Sequence, residues 1–304
     1  MKLRDYEMLF DLPAGEYDGN GVDGIRTATI RAGKSLEVMC YPRGPISAEA
    51  KREARERRTR PAAAKINDRN RERHMMRLIE ANFTGRAFVV TGTYAYPMAD
   101  YHACNLKELA EEYDRRGLPW EEERVRKDVR NFIAKLKRIT AKAGSAAELK
   151  WMVRIEEGKE PAAEGLPPRY HFHAIIEGPG MTRENAEAAW EAAGRTENGH
   201  GMTRVERFDA RDDGAKRLAA YMNKQKKPGR WWSHSRNLKA PAVKKSDRKM
   251  SRRRMALVAA DVQKNGRAIF EALYPGYRVV ELPDVKYSDF MAGAYIYCRM
   301  RRKE

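Results

Sequence analysis

Residues 149–177, LKWMVRIEEGKEPAAEGLPPRYHFHAIIE, hold the pattern from which the rest of the fold is read. Leu149 to Glu156 is apolar and rich enough in β-formers to be a strand, and so is Arg169 to Glu177. Between them GKEPAAEGLPP is rich in glycine and proline, so it reads as a connection. Within the later strand His171 and His173 stand two residues apart. Side chains alternate across a sheet with period 2, so both imidazoles point to one face. The neighbouring strand ends in Glu156 and Glu157, which can supply a carboxylate to that face. The sequence leaves open which of the two points in.

Upstream, Ala87 to Tyr94 (AFVVTGTY) is another strand, followed by a loop with Pro97 and a helical run from Leu106 to Arg115. A longer helix spans Trp120 to Lys142, with Val125, Val129, Phe132, Ile133, Leu136 and Ile139 on one face. Downstream, Thr182 can cap a helix running through Ala193. Met202 to Phe208 is a further strand, and Gly214 to Lys226 a further helix. Strand, helices, two strands, helix, strand suits an α+β fold: an antiparallel sheet of ferredoxin-like or RRM-like kind with helices on one face. This core is expected over residues 85–238. Residues 1–84 read as an N-terminal extension, with short strands at Arg26–Ile30 and Leu36–Tyr41 around the turn Ala32–Lys34. Basic helices follow from Ser47 to Glu80, whose stripe of Met75, Met76, Leu78 and Ile79 should dock on a core. Residues 239–304 read as a basic stretch (239–254) that is a linker or the exposed start of a helix, a helix from Ala256 to Leu273, and a strand-bearing end that either pairs onto the sheet or forms a small subdomain.

The 304 residues carry a formal net charge of +18, which favours a polyanionic partner because each Lys or Arg placed on a phosphate releases condensed counterions. Cys40, Cys104 and Cys298 lie far apart and in no CxxC pair. That argues against a zinc ribbon or a disulfide scaffold and suits a reducing cytoplasm. No apolar run has the length of a membrane span or a signal peptide, so a soluble, cytoplasmic protein without a membrane partner is expected.

Two imidazoles and a carboxylate on one sheet face can hold a single divalent ion and leave positions open for water or a phosphate oxygen. Such a site suits Mg²⁺ or Mn²⁺ acting as a Lewis acid. Tyr221 and Lys224 are three apart on the predicted helix and share a face. A phenol attacking a metal-polarised phosphodiester would give a phosphotyrosine and release a hydroxyl, with Lys224 placed to neutralise the phosphate. The same helix could equally turn Leu218, Tyr221, Met222 and Gln225 toward a core.

Three segments in this order resemble the HUH endonuclease superfamily: Val89–Tyr94 (VVTGTY), Tyr170–Ile176 (YHFHAII) and Ala219–Lys224 (AAYMNK). The tyrosine follows the histidines, which favours the replication-initiator or transposase branch over relaxases. Similarity to the rolling-circle replication initiators of bacterial phages and plasmids extends further. IRTATIRAGKSLEVMCYP, KINDRNRERHMMRLIEANFTG, RWWSHSRNLKAP and the C-terminal YPGYRVVEL and SDFMAGAYIY look like that group. The resemblance implies metal ligation by His171, His173 and Glu156, the last because it directly follows the apolar strand. It implies Tyr221 as nucleophile and Lys224 as its phosphate-side partner. Arg217 stands one turn earlier, where two-tyrosine members carry a second tyrosine, so a single-tyrosine enzyme is implied. Gly92 stands where many members have leucine, which would let backbone or DNA come close.

Contacts to single-stranded origin DNA are expected from Arg217, Lys226, Lys227, Arg230, Trp231, Trp232, Arg236 and Lys239, the adjacent tryptophans serving either to stack on unpaired bases or to plug a core. Nothing matches GxxxxGK[ST], so unwinding would fall to a host helicase, with a host polymerase extending the primer. Two rival readings use the same residues. One is a single-tyrosine transposase, against which the long basic N-terminal segment counts. The other is a non-catalytic single-stranded nucleic-acid binder, which would tolerate chelation.

Overall fold

The computed structural model describes residues 24–43, 60–94, 111, 122–161, 168–191, 201–224, 232–288 and 291–303. Helices expected over 47–59 and over most of 106–115 lie outside them. In chain order the elements are β1 (Gly24–Ala32), β2 (Ser35–Arg43), α1 (Arg60–Asn82), β3 (Phe88–Thr93), α2 (Glu122–Ala143), β4 (Lys150–Pro161), β5 (Pro168–Glu177), α3 (Arg183–Glu191), β6 (Thr203–Arg207), α4 (Gly214–Met222), β7 (Trp232–His234), β8 (Ala242–Ser246), α5 (Arg252–Ala260), α6 (Arg267–Leu273), β9 (Tyr277–Val279), β10 (Asp284–Ser288) and β11 (Met291–Arg302). The chain is α+β and its two sheets are antiparallel, in two compact units rather than one core with extensions.

One unit comprises residues 82–214 and 221–238, around a sheet in the order β6-β3-β5-β4-β7. Alternation sorts its strands cleanly. Phe88, Val90, Val153, Phe172, Ala174, Ile176 and Val205 turn to the face on which α2 lays Val125, Val129, Phe132, Ile133 and Leu136, and α3 lays Ala186, Ala189 and Trp190. Phe172 sits among these aromatics, its ring centroid 5.2 Å from Phe132 and 4.7 Å from Trp190. Trp190 Nε1 donates to the Thr93 carbonyl at 2.9 Å, so the buried indole keeps a partner. Gly92 makes room for this cluster: a Cβ there would stand 2.2 Å from the Phe172 ring. The close approach expected at Gly92 is therefore made by a neighbouring side chain. α3 starts as predicted, with Asn185 N donating to Thr182 Oγ1 at 3.1 Å.

The other unit comprises, among the described residues, those within 1–81, 215–220 and 239–304. Its sheet runs β10-β11-β2-β1-β8, with β9 also on β11. The sequence leaves 239–254 as a linker or helix start and the tail as sheet-pairing or a subdomain; in the structure β8 pairs with β1 and β11 with β2, so the two chain ends build one sheet together. Strand pairing uses main-chain groups, and the charged composition of AVKKS conceals it. β1 and β2 form a hairpin closed by Gly33 and Lys34, and Gly33 takes φ +56, which favours glycine. One sheet face packs Leu36, Val38, Cys40, Ile296, Cys298 and Met300 against Met255, Val258 and Phe270 of α5 and α6. On α1, Met75, Met76, Leu78 and Ile79 are buried as their stripe predicts. The single helix expected over Ala256–Leu273 is broken. Asp261 leaves the helix at φ −149 and caps the next turn through Lys264 N, and Gly266 lies where a Cβ would stand 2.9 Å from Pro283.

Candidate active site

The face of the β6-β3-β5-β4-β7 sheet opposite α2 carries the polar cluster. Register puts Glu156 directly across from His171, and Arg154 and Thr91 across from His173 on either side. His171 Nε2 lies 3.5 Å and His173 Nε2 3.6 Å from the same Glu156 oxygen, Oε2. All three ligand atoms fall within 4.8 Å of one another, so the group could hold a metal ion. Both Glu156 oxygens and His173 Nε2 are buried, and none makes a hydrogen bond of good geometry among the described residues. Buried polar atoms are normally satisfied, so this donor set fits a cation that would complete it. Thr91 Oγ1 engages His173 Nδ1 at 3.0 Å and leaves Nε2 as the nitrogen facing Glu156.

The choice between the two glutamates is settled by strand parity. Glu157 points to the other face, where it accepts a hydrogen bond from the Tyr170 hydroxyl at 3.2 Å. Glu156 is 1% exposed. Burial alone would raise its pKa, but His171, His173 and Lys224 outweigh that and hold it well below the usual carboxylate range. Burial lowers the pKa of His173, with Glu156 offsetting part of the effect, which keeps its imidazole neutral and fit for ligation.

Tyr221, near the C-terminal end of α4, is 46% exposed, so it is not sealed in a core. Its ring lies 4.6 Å from that of His173, edge to face. One turn on, Lys224 Nζ lies 3.1 Å from Glu156 Oε2 and 4.2 Å from the Tyr221 ring centroid. Carboxylate, imidazoles, phenol and ammonium thus meet at one place.

The more distant expectations fare unevenly. Lys226, Lys227, Arg230 and Trp231 lie outside the described residues. Arg217, Arg236 and Lys239 are exposed. Trp232 is half-buried on the edge strand β7, across from Arg154, with its ring 5.3 Å from that of His234. Sequence reasoning overlooked Arg154, Thr91 and Asn223. The first two were within reach, because they sit two residues from Glu156 and in the TGT strand segment, and alternation sends both to the histidine face.

Comparison with models of protein families, with curated proteins and with solved structures gave no match. No helix among the described residues is long and apolar enough to cross a membrane.

Proposed function

We propose that the protein is an HUH-type, Rep-like endonuclease that nicks single-stranded DNA through Tyr221 and remains joined to the 5′ end. The observation that carries this reading is the convergence of His171, His173 and Glu156 Oε2 beside the exposed Tyr221. The sheet of β6-β3-β5-β4-β7 with α2 and α3 on one face supports a ferredoxin-like HUH core.

His171, His173 and Glu156 would hold Mg²⁺ or Mn²⁺; the mixed nitrogen and oxygen donors suit Mn²⁺ well, since Mg²⁺ prefers oxygen. A divalent ion there supplies Lewis-acid polarisation of a phosphate oxygen. Tyr221 Oη attacks the phosphorus, the bond from phosphorus to the 3′ oxygen breaks, and the phenolic proton is made good on that oxygen through solvent. The products are a 5′-phosphotyrosine and a free 3′ hydroxyl able to prime synthesis. Lys224, in the turn that ends α4 earlier than the helix expected to Lys226, offsets charge on the phosphate. Such chemistry is that of a rolling-circle replication initiator acting at an origin in the cytoplasm, with a host helicase and polymerase as partners.

The test is incubation with single-stranded oligonucleotides tiling a candidate origin, in Mn²⁺ or Mg²⁺, followed by denaturing electrophoresis. A slow-migrating covalent adduct is expected, absent for Tyr221→Phe, for His171→Ala/His173→Ala and in chelator. Binding that persists in chelator, with no adduct from any variant, would instead identify a non-catalytic binder.

A further inference from the structure

Arg154 is 1% exposed, among the most buried large side chains in the protein. It lies on β4 two residues before Glu156 and on the same face, flanked across the strands by His173 and Trp232. Its Nε is 3.2 Å from Glu156 Oε1, an ion pair without hydrogen-bond alignment, while Oε2 is the oxygen that approaches the histidines. Its Nη1 is 3.5 Å from Oδ1 of Asn223, between Tyr221 and Lys224 in a turn closed by Lys224 N donating to the Tyr221 carbonyl at 3.3 Å. Cohesion gives little reason for a guanidinium here, because well-packed apolar residues often replace a buried ion pair at no cost. A planar, multi-donor cation does offer fixed directions to two acceptors at once.

We propose that Arg154 is a positioning residue that sets the metal-ligating carboxylate and the nucleophile segment in one frame. One arm draws Glu156 Oε1 by charge, which favours Oε2 facing His171 and His173. Another steadies Asn223 and, through its turn, Tyr221 and Lys224. This rests on the nicking reading above and adds the residue that couples its two halves.

Mn²⁺ affinity measured by electron paramagnetic resonance tests it without reference to turnover. Arg154→Met should bind Mn²⁺ about 10–100-fold more weakly than wild type, the usual cost of losing a group that orients a ligand, with Arg154→Lys recovering part of the loss. Asn223→Ala should keep wild-type Mn²⁺ affinity and wild-type oligonucleotide affinity yet form the covalent adduct about tenfold more slowly. Circular dichroism reports folding; if Arg154→Met does not fold, the lysine and Asn223 variants decide. A folded Arg154→Met, or Arg154→Lys in its place, with wild-type Mn²⁺ affinity overturns the proposal, as does Asn223→Ala with a wild-type adduct rate. Wild-type protein that binds no Mn²⁺ would overturn the metal reading beneath it, a result distinct from either.

Discussion

Among the described residues each sheet buries one glutamate on an inner strand, and the two are treated differently. Glu37 on β2 receives a two-pronged grip from Arg77, Nε and Nη2 each donating at 2.8 Å, and a third bond from the Tyr297 hydroxyl at 2.8 Å. Glu156 on β4 is as buried, yet the Lys224 and Arg154 cations stand at 3.1 and 3.2 Å, the imidazole nitrogens at 3.5 and 3.6 Å, and its oxygens lack well-aligned donors. Burial costs both carboxylates, and cations repay it in both. The difference lies in saturation. Glu37 has its lone pairs claimed by fixed donors and serves structure. Glu156 turns an oxygen toward two imidazole nitrogens, an arrangement suited to sharing a cation.

Removing each carboxylate's function should therefore damage different properties. The largest effect belongs to Glu156→Gln, which removes a charged ligand. Losing about 4 kcal/mol of transition-state stabilisation corresponds to roughly a 1,000-fold slower adduct rate. Urea denaturation should show a smaller loss, because buried Arg154 keeps its charge with only a neutral amide oxygen beside it. Arg77→Met is the mirror case. Stranding Glu37 as a buried, poorly paired charge should cost about 3–5 kcal/mol of stability, and Arg77→Met/Glu37→Met should recover most of it. If Arg77→Met instead abolished metal binding while Glu156→Gln unfolded the protein, the assignment of roles would be reversed.

The smallest effect is in pH dependence. Burial raises the pKa of Glu37, but Arg77 and Tyr297 outweigh it and leave it below its ordinary value of 4.5. Its contribution to stability is thus present above pH 4.5 and drains as pH falls through and below that point. His173 is also lowered from its ordinary 6.5, by burial. The unfolded chain then takes up that proton first, so metal-free protein should begin losing stability as pH falls below 6.5. Chemical denaturation across pH 3–8 should separate the windows: His173→Gln flattens the upper one, and Glu37→Gln/Arg77→Met the lower.

How far these regions were legible in sequence follows from the range of the interactions that build them. His171, His173 and Glu156 come from adjacent strands joined by one connection, and period-2 alternation alone puts the histidines on a common face. Even the choice of Glu156 over Glu157 follows parity once register is known. The Glu37 site was opaque. Arg77 lies 40 residues away and Tyr297 260 residues away, and the pairings of β1 with β8 and β2 with β11 leave no local trace. Arg154 was overlooked for another reason: a charged residue in a strand reads by default as solvent-facing, and only the neighbouring strands reveal that this one is covered.

The central claim is that the Tyr221 oxygen is the attacking atom. The direct measurement is mass spectrometry of tryptic peptides after reaction with a single-stranded oligonucleotide and Mn²⁺. A peptide containing Tyr221 carrying a 5′-linked nucleotide, together with a released fragment ending in a 3′ hydroxyl, is the predicted result. Cleavage leaving Tyr221 unmodified, or the nucleotide on another residue, would contradict it.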